Sequence, residues 1–250
     1  MCCFSRPVDS VSATKIFTRA ENAHRQFMAY SMTVSAKEDL AMILPVPVRA
    51  GSGEKAITFI SLEEYPQFFA DLEKGFPPPP PPKPMWGVKS PASAPAVPLL
   101  AVVQVGSFEA SFVPTISDFV RLDERFRLPA GTWEKLPAYR HYGFAVFKLK
   151  PGAKTVHPMA FSFPRSNIAS LFFPTVHIHD GKVHERAGFD HLLYCQRAES
   201  DVTRLTDWRE SPQLARDFVK AGQTKGMVAP DRHCYRKALR GQLENRDVWV

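Results

Sequence analysis

"TKIFTRAENAHRQFMAYSMTVSAKEDLAMILPVPV", residues 14–48, decides the fold. It holds three runs, "TKIFTRA", "RQFMAYSMTV" and "DLAMILPVPV", rich in β-branched, aromatic or Met side chains and separated by polar turns. That composition predicts strands. "AITFI" at 56–60 closes the group, and a short helix is expected after it. Proline is tolerated only in a first helical turn, so with Pro66 present the helix should start near Glu64. It then carries Tyr65, Phe68, Phe69 and Leu72 along one apolar stripe and ends at Gly75.

From Phe76 the composition changes abruptly, with ten prolines between 77 and 98, six of them consecutive. Such a run cannot join a helix or a central strand and reads as a polyproline II spacer. Lys83 behind the prolines would suit an SH3 or WW ligand, but without other signalling motifs a plain linker or surface wrap is the better reading. Beyond it, "LLAVVQV", "FEASFVP", "GFAVFKLK", "VHPMAFSF", "SLFFPTVHIH", "FDHLLYCQ", "HCYRKALRG" and "RDVWV" read as strands. "TISDFVRLDERF" reads as a helix capped by Thr115 or Ser117 and burying Phe119, Leu122 and Phe126, and "TWEKLPAYRHY" as a short helix or turn. A further helix is expected at 211–220, with Ser211 as N-cap and Pro212 in its first turn, burying Leu214 and Phe218. The predicted class is α+β: β-rich, mainly antiparallel sheets with a few short helices. The predicted parts are 1–75, a proline-rich connector at 76–98, and 99–250, with the first and last able to share one sheet system.

With 250 residues, 44% of them hydrophobic, the chain can bury a substantial core. No run of 18 apolar residues exists, and "MCCFSRPVDS" lacks the features of a signal peptide, so a soluble, cytoplasmic protein with no membrane partner is expected. The four cysteines, Cys2, Cys3, Cys195 and Cys234, form neither a disulfide framework nor a CxxC zinc pattern and are expected to be reduced. The net charge of +7 favours anionic partners, yet the basic residues are scattered and no nucleic-acid-binding signature accompanies them. Nucleic acid is therefore not an expected partner.

The order "AMILPVPV", "VQVGSFEASFV", "LPAYRHYGFAVFKLKPG", "VHPMAFSFP" and "LFFPTV" resembles a family of uncharacterised bacterial proteins of unknown function. The resemblance covers roughly residues 40–176. It implies a β-rich fold and no activity.

Function is sought instead in "FPTVHIHDGKVHERAGFDHLLYC", residues 173–195, where four of the eight histidines lie within fifteen residues. In a strand, alternate residues share a face, so His177 and His179 form a bidentate metal clamp. A tight turn at Asp180-Gly181 would set His177 opposite His184, whereas a longer loop would set it opposite His191, with Cys195 further along that face. Either hairpin brings a third imidazole within reach, enough for a mononuclear metal site with an open position for water or an unknown small molecule. Zinc is the expected metal; copper or iron is favoured if a cysteine joins. Asp180 or Asp190 could orient an imidazole. The same face could instead be solvated and bland, or serve metal-free acid–base chemistry. Two alternatives use other residues: an interaction protein working through the proline segment or basic surface, and a hydrolase whose Cys2, exposed by removal of Met1, joins thiol nucleophile and α-amine base in one residue.

Overall fold

The computed structural model describes residues 2–78, 109–149, 154–179, 182–198 and 205–250, with the side chains of residues 2 and 154–157 left aside. The strands are Cys2–Phe4 (β1), Ser10–Ala20 (β2), Arg25–Ser35 (β3), Leu40–Val46 (β4), Thr58–Ser61 (β5), Ala110–Val113 (β6), Gly143–Leu149 (β7), Lys154–Pro164 (β8), Phe172–Phe173 (β9), His177–Ile178 (β10), Arg186–Gln196 (β11), Arg209–Glu210 (β12), Tyr235–Glu244 (β13) and Val248–Trp249 (β14). One α-helix, Phe68–Lys74 (α1), and several 3₁₀ turns complete the elements. A five-stranded sheet runs β10-β1-β4-β7-β6, a seven-stranded sheet runs β12-β13-β11-β2-β3-β8-β5, and β14 pairs with β9. Both larger sheets are mixed, with β1–β10 and β2–β11 parallel. Strands from before and after the proline segment alternate within them: β4 pairs with β7, and β8 lies between β3 and β5.

The opening stretch lacks clean alternation because both faces of both sheets are covered. Met28, Tyr30 and Met32 of β3 pack between the sheets with Met42 and Leu44 of β4. Phe27 and Ala29 turn the other way, into a second core with Tyr65, Phe68 and Leu72 around α1. Ala41 and Ile43 of β4 likewise turn outward, beneath Phe119, Phe126, Leu136 and Tyr139 of the 3₁₀ turns. Four layers result: turns, five-stranded sheet, seven-stranded sheet, helix.

The helix after "AITFI" begins at Phe68, about one turn later than Pro66 implied, and Gly75 caps it. Two expected helices are not α-helices. Residues 115–126 form 3₁₀ turns at Ile116–Arg121 and Glu124–Phe126, and the Arg127 guanidinium donates to the carbonyls of Val120 and Leu122 instead. At 211–220 only the 3₁₀ turn Ala215–Asp217 forms, because Ala215 N–H donates to Arg232 O at 2.9 Å and Arg216 N–H to Pro230 O at 3.0 Å. Tertiary hydrogen bonds have displaced helical ones. "SLFFPTVHIH" is not one strand either: it breaks at Pro174 into β9 and β10, which join different sheets. Beyond Pro78 the proline segment lies outside the described residues, as do all of "LLAVVQV" and the Asp180-Gly181 turn. Among the described residues Cys3, Cys195 and Cys234 form no disulfide, and no helix is long and apolar enough to cross a membrane.

Candidate functional site: a buried histidine cluster between the sheets

Neither expected hairpin register exists. β10 pairs with β1 in parallel, Cys2↔His177 and Cys3↔Ile178, while β11 sits in the other sheet between β13 and β2. His177 and His191 therefore meet across the inter-sheet space and not across a strand pair. Their Nε2 atoms are 3.0 Å apart, and the rings are stacked with centroids 4.6 Å apart at 28°. His191 is 1% exposed and His177 8%. His179 joins them, its ring 4.8 Å from that of His177 and packed edge-on against Phe4 at 5.7 Å. Phe189, two residues before His191 and so on the same face of β11, packs on both His177 and His191, at 4.5 and 5.2 Å.

Main-chain clamps hold the β10 side. Asn245, just beyond β13, accepts the His177 N–H at 2.7 Å and donates to the carbonyls of His177 and His184 at 3.0 and 2.9 Å. Asp247 accepts the N–H groups of Thr175 and Val176 with one oxygen and the Tyr139 hydroxyl with the other. These partners satisfy a stretch that Pro174 and the strand break leave without a full ladder. On the β11 side, Asp190 lies 3.5 Å from His191 Nδ1 and accepts the Ala13 N–H at 2.5 Å. Ala13 is able to donate there because it sits at a bulge in β2 with φ of 53°, a left-handed conformation uncommon for a residue with a side chain.

Burial dominates the electrostatics. Desolvation, reinforced by the neighbouring His191 and His179, pushes His177 down to about 2. His191 is also lowered by burial, which outweighs the opposing bond to Asp190. Both rings are neutral at neutral pH. Asp190 beside His191 Nδ1 favours the Nδ1–H tautomer there, so His191 Nε2 accepts and His177 Nε2–H donates.

The cluster thus unites His177, His179 and His191. His184 is exposed on the segment leading into β11. Cys195 shares the face of His191 but lies four residues along, roughly 13 Å away, in the inter-sheet core, where burial raises its thiol. Cys3 turns to the opposite face of the five-stranded sheet. The register sets the Cys2 backbone beside His177. Among the described residues no group of three or more His, Cys, Asp or Glu side chains is arranged to hold a metal ion. The sequence pointed to Asp190 through its position next to a histidine. Asn245 and Asp247, some seventy residues away, carried no local signal.

No family model matches the sequence, and no curated protein matches it significantly. Solved structures do resemble the fold. The crystal structure of a mutated baculovirus P35 after caspase cleavage aligns with a TM-score of 0.47 at 11% identity over 95% of this chain and 99% of that one. The caspase-8/P35 complex aligns with a TM-score of 0.47 at 10% identity over 95% of each chain. The crystal structure of baculovirus P35 aligns with a TM-score of 0.52 at 11% identity over 96% of this chain and 96% of that chain, and at that identity what the two have in common is the fold.

Proposed function

We propose that this chain is a protein-binding scaffold that engages a caspase-class protease. The observation that carries the reading is the fold likeness to baculovirus P35 over 96% of both chains, P35 being the protein found in complex with caspase-8. The geometry of the cluster agrees with a binding role. Two neutral imidazoles that are 1% and 8% exposed and hold each other leave little room for a substrate, so they suit a rigid inter-sheet tie better than a catalytic pair. The test is to titrate the full chain into caspase-8 and follow peptide cleavage, with the mixture run on a denaturing gel. Dose-dependent inhibition with a stable complex, or cleavage of the chain itself, is expected. Full protease activity at a large molar excess of intact chain would sink the reading.

A second reading keeps a metal ion, with His177 and His191 as ligands and His179 as a third that would have to turn its ring to reach it. It is supported by the 3.0 Å between the two Nε2 atoms, since two ligands bound at ~2.0–2.1 Å on one ion lie about that far apart. His177 would then bind as its Nδ1–H tautomer, its single ring proton moved from Nε2 to Nδ1 so that Nε2 faces the ion. Zinc is the expected ion. Elemental analysis after desalting tests this: stoichiometric metal in the wild type that disappears in His177→Ala and His191→Ala supports it, and metal content unchanged in both variants removes it.

A further inference from the structure

Among the described residues, the outer edge of β13 is covered along only part of its length. Its inner edge pairs with β11 from Glu244 to Tyr235, whereas β12 meets its outer edge only at Tyr235 and Arg236. Hydrogen bonds at the two ends fix which main-chain groups look outward. Asn245 N–H donates to Glu185 O at 2.8 Å on the inner edge, and Cys234 O accepts from Ser211 N–H at 2.8 Å on the outer edge. Because successive residues of an antiparallel strand bond to opposite sides, the even-numbered residues of β13 direct N–H and C=O away from β11. The outward carbonyl of Glu244 is taken by Arg246 N–H at 3.0 Å, and that of Gln242 by Arg186 Nη2 at 2.6 Å. Ala238 and Arg240 are left. Both are exposed, and among the described residues nothing meets their outward N–H and C=O groups.

A cleft of about 400 Å³ opens beside this edge, lined by Phe189, Leu239, Leu243 and Val248 and flanked by Arg186 and Lys237. Phe189 is the ring that packs on His177 and His191, so the cleft adjoins the histidine cluster. The strand itself carries Arg236, Lys237 and Arg240 against Glu244 in a chain of net charge +7.

We infer that the outer edge of β13, between Lys237 and Glu244, accepts an extended acidic peptide as an added strand, with an apolar side chain of the peptide seated in the cleft. Main-chain pairing at Ala238 and Arg240 supplies the attachment, and alternate side chains read the cleft and the basic flank. A second copy of this chain paired antiparallel about Arg240 is disfavoured because it would set that arginine directly against its own equivalent. Charges on an edge strand ordinarily deter pairing. Here they discriminate, repelling a basic strand and attracting an acidic one. The inference does not depend on protease binding.

The test uses the full chain and a dye-labelled peptide of alternating valine and glutamate, followed by fluorescence anisotropy. Its valine–lysine counterpart and a version N-methylated at alternate residues serve as comparisons. Saturable binding of the glutamate peptide is expected, at least tenfold tighter than the lysine peptide, with loss on N-methylation. Ala238→Pro removes one outward N–H and spares the β11 ladder, so it should weaken binding at least tenfold with an unchanged melting curve. Should that variant fail to fold, the N-methylated peptide still decides. Equal binding of both charge types, retention after N-methylation, no binding of the glutamate peptide, or a dimer that Ala238→Pro dissolves would each overturn the proposal.

Discussion

His177 and His191 are neutral in the folded chain because burial penalises their charged forms, and this has a defined consequence for stability. The folded-state value of His177, about 2, lies below the ordinary value of 6.5, so as pH falls through that window the unfolded chain takes up protons that the folded chain refuses. Stability is therefore fully present above about pH 6.5 and is lost on acidification, by up to about 1.4 kcal/mol per pH unit for each such imidazole. Urea midpoints measured from pH 7 to pH 4 should show the decline, and His177→Leu should flatten it; an equal slope in both proteins would refute the neutral pair. His191→Ala removes a fully buried ring and leaves the His177 ring Nε2–H without its acceptor, which should cost about 2–4 kcal/mol. His184→Ala, on the exposed segment, should stay within about 0.5 kcal/mol. That contrast, read by denaturant unfolding, separates the buried cluster from the rest of the "HIHDGKVH" sequence. The sequence singled out His177, His179 and His191 by density and spacing, but through a hairpin pairing that does not form. Phe189 shares the strand face of His191 by simple alternation, but the burial and pairing also depend on Phe4 and Asn245, which no local pattern ties to the histidines.

Among the elements, strands were the most legible, since runs such as "RQFMAYSMTV" and "GFAVFKLK" are long, apolar and bounded by polar turns. Helices were read less well. A Ser-Pro start and an apolar stripe at 211–220 satisfy every local rule for a helix, yet the chain at 230–232 competes for the same N–H groups and wins. α1 did form, and its end illustrates why glycine stands there. A Cβ on Gly75 would lie 2.5 Å from the Phe218 ring, closer than any atom can be without displacement. Gly75→Ala should accordingly destabilise by about 1–3 kcal/mol, although alanine itself suits a helix. Adding Phe218→Leu should restore part of the loss in thermal melts, and failure of that rescue would place the cost elsewhere.

At the scale of the whole molecule, the proline segment falls within a chain whose two larger sheets each draw strands from both sides of it. Proteolytic nicking between residues 79 and 108 should therefore leave two fragments that elute together from a sizing column and separate only in denaturant; fragments that part under native conditions would contradict the interleaved pairing. Local signals could not have shown this arrangement. The Asp180-Gly181 dipeptide argued for a hairpin, but β10 chose β1, about 175 residues earlier in the chain, as its parallel neighbour. β2 waits similarly for β11. On a ribosome, β1 and β2 meet β4 and β3 early, but their other edges wait for β10 and β11, which are made about 175 residues later. Completion of both sheets is thereby deferred until elongation is nearly complete, which makes the nascent chain a natural client for chaperones and its yield sensitive to the pace of synthesis.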